Sequence, residues 1–248
     1  MEPSIEKKYF LSASDANAEG RLSLTALTSN IIDIATDHAN SLEIGNPFMK
    51  DMNAGWILSR LTIDLRESPK VNSHYVLKTW IEDFNRHFST RCFSVENAEG
   101  EIYGYARSIW LVIDNETHKN LGLSHFNLSS DLILGESAPI PRQEKHFPVE
   151  PDFPPTEYTF KYCDLDFYRH VNTVRYVTLL LNQFTLAEHD KTRVKRIELS
   201  FLHEASYGME TLLLRKDSKE EPLVSSFQLT DKATGDALLF ARIKREKI

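Results

Sequence analysis

The chain has 248 residues, 41% of them hydrophobic and 26% charged, with a formal net charge of −7. That composition fits a folded globular protein and excludes a disordered one. An acidic chain without a basic block is a poor nucleic-acid binder. No apolar run approaches the roughly 18 residues a spanning helix needs, so no transmembrane helix is expected. The first ten residues, MEPSIEKKYF, offer no apolar core for a secretory signal. Two cysteines, Cys92 and Cys163, are too few for a disulfide scaffold and suit a reducing, cytoplasmic setting.

From the N-terminus, a short strand precedes a helix. Ser23 is a candidate cap, and Leu27, Ile31, Ile34, Ala35, His38 and Leu42 recur at helical spacing. His38 lies on this stripe and reads as structural. Residues 56–66 then alternate, with Ile57, Leu61, Ile63 and Leu65 apolar between polar neighbours, as in a half-buried strand. Further strands are predicted at 75–83, 89–97 and 103–113, with a hairpin turn at Ala98-Glu99-Gly100. Cys92 falls inside a strand and is expected in the core.

Six of the ten prolines lie between Pro139 and Pro155. Proline on that scale fits neither sheet nor helix interior, so 121–156 is expected to be a linker between halves at 1–120 and 157–248. The second half repeats the order of the first. Val174, Val177, Leu181 and Phe184 mark a helix from about Val171, and strands follow at 194–203, 210–216, 224–230 and 237–244. Gly235-Asp236 with Phe240-Ala241-Arg242 echoes Gly100-Glu101 with Tyr105-Ala106-Arg107 at one common offset. A single helix that is apolar over much of its surface needs a sheet curled around it. The expected fold is therefore α+β: a tandem (double) hot-dog, each half a long central helix wrapped by a curved antiparallel sheet.

The densest polar cluster is YCDLDFYRHVNTVRY, from Tyr162 to Tyr176, at the start of the second helix. Amides at a helix start lack intrahelical partners and the dipole there favours negative charge, so a carbonyl can be polarised and an oxyanion held. Asp166 and His170 could position a water and move its proton. The same Asp and Asn side chains could equally serve only as caps.

This segment resembles the catalytic-motif region of the acyl-acyl carrier protein thioesterases, a plant-type family with bacterial members. Its pattern, roughly Asp-x-Asp-x-Asn-x-His-Val-Asn-Asn-x-x-Tyr, is met by Asp164, Asp166, His170, Val171, Asn172 and Tyr176. GWILSRLTIDL (55–65), KTW (78–80) and ARSIWLVID (106–114) in the first half resemble the family too. The resemblance implies hydrolysis of an acyl-phosphopantetheine thioester on acyl carrier protein, releasing a free fatty acid in fatty acid biosynthesis. It assigns catalysis to Asp166, His170 and Glu204, the last in LSFLHEASYG (199–208). Tyr168 stands at the family's Asn position, a departure. Tyr168, Asn172 and Val171 become the substrate-positioning and oxyanion candidates. Ala205 excludes the cysteine some plant members carry there. Strict alternation sets Glu204 opposite Leu199 and Phe201, and puts His203 on the apolar side as a core histidine.

The remaining motifs are negative. Cys163 has no base at a recognisable spacing and reads as a small buried hydrophobe. The nine histidines show no metal-ligand spacing, and no nucleotide-binding motif appears, so neither metal nor cofactor is expected. No G-x-S-x-G elbow is present. An acidic carrier protein would meet cations such as Arg60, Arg86, Arg91, Lys161, Arg169, Arg175, Arg193, Lys195 and Arg196. An acyl-CoA thioesterase and a non-catalytic acyl-binding module are the alternatives. The halves could complete one another in a monomer, and a homodimer is also compatible.

Overall fold

A computed structural model describes residues 1–50, 52–124, 126 and 128–248, with Asn46 described in its backbone only. The chain divides into two compact units, Met1–Pro141 and Arg142–Ile248.

In the first unit the order is β1 (Ser4–Phe10), α1 (Leu24–Ser41), α2 (Asn46–Lys50), β2 (Ala54–Leu65), β3 (His74–Phe84), β4 (Ser89–Asn97) and β5 (Ile102–Asp114). All pairings are antiparallel, and the strands lie in the order β1-β3-β4-β5-β2. In the second unit β6 (Thr156–Thr159) leads to α3 (Thr173–Leu181), α4 (Leu186–His189), β7 (Thr192–Phe201), β8 (Glu210–Asp217), β9 (Val224–Asp231) and β10 (Ala237–Lys247). Its order, β6-β8-β9-β10-β7, is the same arrangement again.

The sequence echo marks equivalent places in the two sheets. Ala106 lies between Phe93 and Ile63, and Ala241 lies between Phe227 and Leu199; all six side chains are buried. A methyl group beside a phenylalanine ring lets the strands pack without a void. Gly100 and Gly235 close the preceding hairpins at φ 86° and 81°, where an L side chain would be strained.

The helices differ. Ser23 caps α1 by accepting from the Ala26 N–H at 3.1 Å, and Leu27, Ile31, Ile34 and Ala35 form the buried face. The helix of the second half is shorter than its apolar spacing predicts. It ends at Leu181, and Phe184 lies in the bend just before α4, which Thr185 and Glu188 open in a reciprocal capping box. Two guanidiniums lie over the Phe184 ring, Arg215 at 4.5 Å and Arg245 at 4.0 Å from its centroid.

The proline-rich segment is not a solvated tether. In the first unit Trp80 donates to the Glu136 carbonyl at 2.7 Å and Ser137 to Glu82 at 2.8 Å, and Ala138 is buried. In the second, Gln143 donates to Ser200 Oγ at 2.7 Å, and the Val149 N–H donates to Gln228 at 3.0 Å. Proline stiffens these stretches and removes donors that pairing along a sheet face would leave unused. His125 and Asn127, also in the expected linker, lie outside the described residues.

His38 is fully buried on α1. Its Nδ1 is 2.6 Å from an Arg91 Nη1 and its Nε2 is 3.0 Å from the Glu2 carbonyl. A guanidinium only donates, so Nδ1 accepts and the ring is neutral with its proton on Nε2. Arg91 is thereby removed from the cations available to a partner. Burial first, and the Arg91 charge second, push the His38 pKa down to about 4. An unfolded histidine titrates near ~6.5. Between those values the unfolded chain takes up a proton that the folded chain refuses, so stability falls as pH drops from about 6.5 to about 4. The loss attributable to His38 is about 2–3 kcal/mol at the bottom of that window. Urea unfolding from pH 8 to 4 should show it, and His38→Gln should flatten that part of the curve whatever its effect at pH 8.

Candidate active site

The polar cluster forms a tight turn between β6 and α3. A single 3-10 turn, Tyr162–Asp164, opens it. Asp164 is buried and accepts from the Tyr158 hydroxyl at 2.9 Å and the Lys161 N–H at 2.8 Å. Arg175 lies 3.9 Å away. Asp164 is thus a support for the turn.

Asp166 closes the turn. Its Oδ1 accepts the N–H groups of Tyr168 at 2.9 Å and His170 at 3.0 Å, and its own N–H donates to the His170 carbonyl at 2.8 Å. Asp166 therefore fixes the main chain of His170. Arg169, just before the histidine, has φ 70°.

Glu204 comes from elsewhere. β7 ends at Phe201, and the N–H groups of Leu202 and His203 both turn to the Leu238 carbonyl. Alternation therefore stops before Glu204, and His203 is exposed rather than in the core. Beyond it the chain is stapled to the motif. Val171 N–H donates to the Ala205 carbonyl at 2.9 Å, and His170 bridges Ser206. The staple sets His170 Nε2 3.5 Å from Glu204 Oε2, with both side chains about a third to two-fifths exposed.

Tyr176, buried on α3, meets the Ala205 main chain next to Glu204. Burial holds its phenol protonated well above the ordinary range, the Ala205 backbone hydrogen bond opposes that, and Glu204 and Asp166 add to it. Tyr176 and the Ala205 main chain are positioning features that sequence reasoning passed over, although Tyr176 stood in the matched motif.

Three expected positioning roles change. Asn172 is the cap of α3, its Oδ1 accepting the Val174 N–H at 2.9 Å. The Asn172 N–H donates to the Asp164 carbonyl and the Val171 N–H to Ala205, so both amides assigned to the oxyanion are engaged within the chain. Tyr168 is exposed and packs on Phe167 with ring centroids 3.9 Å apart, so it does not replace the expected amide. Cys163 is exposed, not buried. Among the described residues no three His, Cys, Asp or Glu side chains gather in a group able to hold a metal.

The first unit contains the same turn. Asn17 Oδ1 accepts the Arg21 N–H at 2.8 Å, and Asn17 N–H donates to the Arg21 carbonyl at 2.7 Å. Leu22 N–H donates to the Pro69 carbonyl at 2.9 Å, and Arg21 bridges Lys70. Ser23 caps the helix as Asn172 does. Where the second unit has His170 beside Glu204, the first has Arg21 paired with Glu67 at 2.6 Å.

Two sheets of one order, each fed by a helix entered through this turn, define a tandem hot-dog protein. The acyl-ACP thioesterase N-terminal domain matches residues 2–124, and the C-terminal domain of that family matches 151–246. The chain belongs to the acyl-ACP thioesterase family. It is similar to an acyl-ACP thioesterase of known structure from Bacteroides thetaiotaomicron, with a TM-score of 0.89 and 25% identity over 98% of each chain. The 12:0-ACP thioesterase from Umbellularia californica shares the fold, with a TM-score of 0.86 at 16% identity over 100% of this chain and 99% of that one. A chloroplastic palmitoyl-acyl carrier protein thioesterase from Gossypium hirsutum is 22% identical over 243 residues, covering 89% of this chain and 57% of the relative. Oleoyl-acyl carrier protein thioesterase 2 of Arabidopsis thaliana is 20% identical, covering 81% and 59%. The chain thus spans a little over half the length of the curated relatives it matches.

Asp166 acts on the main chain through one acceptor oxygen, which asparagine also has. Asp166→Ala leaves two amides without that acceptor and should cost about 1–2 kcal/mol. Asp166→Asn should cost less than half as much, read as the difference in thermal midpoints.

Proposed function

We propose that the protein hydrolyses acyl thioesters carried on acyl carrier protein, releasing the free fatty acid and the carrier's thiol, as a step of fatty acid biosynthesis. The observation that carries this reading is the approach of His170 Nε2 to Glu204 Oε2 at 3.5 Å, on a rim open to solvent. Family membership supports the substrate class.

The proposed chemistry needs one proton relay. A water oxygen attacks the thioester carbonyl carbon while His170 takes its proton, and the Glu204 carboxylate stabilises the imidazolium. As the tetrahedral intermediate collapses, the C–S bond breaks and His170 returns the proton to the departing sulfur. Water and thioester become carboxylic acid and thiol, and the enzyme is unchanged. Asp166 holds the His170 main chain, so the imidazole starts from a fixed position. The hydrogen bond from Val171 to Ala205 does the same for the backbone beside Glu204. Apo geometry looser than an ideal hydrogen bond is ordinary for such pairs and tightens with substrate bound. We assign the oxyanion to neither Val171 nor Asn172.

Cytoplasmic action forms part of this proposal, supported by two cysteines that are both free thiols. The test is thiol release from matched acyl-carrier-protein and acyl-CoA esters of several chain lengths. His170→Ala and Glu204→Gln should each lower kcat by about 10²–10⁴-fold, with thermal midpoints within about 2 °C of the parent. Activity within threefold of the parent in either variant would remove that residue from the mechanism. Faster cleavage of CoA esters would keep the chemistry and change the carrier. Acyl binding without thiol release would make the protein a binding module.

A further inference from the structure

The two halves build one turn from different side chains, and the differences face solvent. The turn before α3 carries Tyr162, Phe167 and Arg169; its copy before α1 has Ala13, Ala18 and Gly20 in those places. The backbone does not register the change. Arg169 N–H donates to the Asp166 carbonyl at 3.0 Å and Gly20 N–H to the Asn17 carbonyl at 3.0 Å. Gly208 N–H reaches the Phe160 carbonyl at 2.9 Å, and Asn72 N–H reaches the Leu11 carbonyl at 2.9 Å. The aromatic and cationic side chains are therefore not required for folding the turn.

The rings gain little from burial where they stand. Tyr162, Phe167 and Tyr207 are 82%, 80% and 68% exposed. Arg169 has φ 70°, against 68° for Gly20. An L side chain there costs roughly 1–2 kcal/mol that glycine avoids. Strain of this kind persists where a side chain serves a function.

The charges around the turn are unequal. Arg175 pairs with Asp164, Arg193 and Lys195 with Glu246, and Arg196 with Glu198. Among the described residues Lys161 and Arg169 join no ion pair, and both are exposed. Two cations outside any ion pair thus lie in the turn that leads to His170, with Tyr162 and Phe167 exposed on the same turn and Tyr207 on the segment bridged to it.

We propose that Phe167 and Arg169, with Tyr162, Tyr207 and Lys161 around them, form the docking surface for an acidic carrier protein that presents the acyl thioester. This rests on the hydrolase reading and deepens it by assigning the partner a place. Tyrosine and arginine are the side chains that dominate protein interfaces. An anionic bilayer fits less well. Polybasic membrane segments use four to eight cations, and the whole chain carries −7.

The experiment uses the full chain with Phe167→Ala, Arg169→Gly and the double variant, which install the residues of the N-terminal copy. Expected results are a tenfold or greater fall in kcat/KM on the carrier-protein ester for the double variant, with the acyl-CoA ester within threefold. Titration with purified apo acyl carrier protein, which carries no thioester, should weaken by a similar factor. The parent's kcat/KM on the carrier ester should fall with added salt, and the Arg169→Gly dependence should be shallower. Arg169→Gly should hold or raise the thermal midpoint, which a structural role would lower. Equal loss on both esters, or unchanged apo-carrier binding, overturns the proposal. So does sedimentation with phosphatidylglycerol vesicles that is lost in Phe167→Ala while carrier binding persists. If the parent cleaves neither ester, the hydrolase reading fails, and the apo-carrier titration still decides the docking surface.

Discussion

The hydrogen bond from the Val171 N–H to the Ala205 carbonyl joins two segments that lie far apart in the chain. His170 belongs to a turn before α3 and Glu204 to a turn after β7, and this bond, with the neighbouring His170–Ser206 bridge, brings the two segments together. A main-chain bond suits this task because it fixes position without rotamer freedom. Ala205 is buried where its carbonyl accepts from Val171, and its main chain also meets the Tyr176 phenol. Asp166 supplies the complementary restraint by gathering two amides of the turn onto one oxygen. The side chains proposed to react are thus set by groups that do not.

Most of the fold was legible because its signals are local. Alternation located every long strand to within a few residues, and the Ala106 and Ala241 echo marked equivalent buried places in two sheets of one order. What failed lay where a tertiary partner overrode a local period. Val174 to Phe184 has helical spacing, yet the chain turns at Asn182 and gives Phe184 to Arg215 and Arg245. His203 continues the apolar phase of β7 only if β7 continues. It stops because two successive amides share the Leu238 carbonyl.

The site was legible in its residue types more than in their tasks. His170 and Glu204 do meet. Asn172, Val171 and Tyr168 could not be assigned from the sequence, because their tasks depend on which acceptor each amide finds and which way a ring turns. A cap and an oxyanion donor look alike in one dimension, since both are polar groups at a helix start. Only the observed bonds from Val174 to Asn172 and from Asn172 to Asp164 separate them. Arg91 makes the same point for charge. It reads as a docking cation in a strand pattern, but it is buried against His38.

The duplicated turn carries two different side-chain sets on one backbone. Both copies close through an Asx side chain, a left-handed residue and a staple to the strand-following loop. In the first copy the position of His170 is Arg21, bound to Glu67 at 2.6 Å. A guanidinium stays protonated at any working pH and cannot take a proton from water. Arg21 therefore cannot take the part proposed for His170. The second copy has an imidazole that can carry a proton both ways, beside a carboxylate left partly open to solvent. The solvent-facing residues diverge in step: alanine and glycine decorate the turn that holds Arg21, and rings and cations decorate the one that holds His170. The side chains at the centre of each turn and those on its surface thus differ together, on a backbone that both halves share.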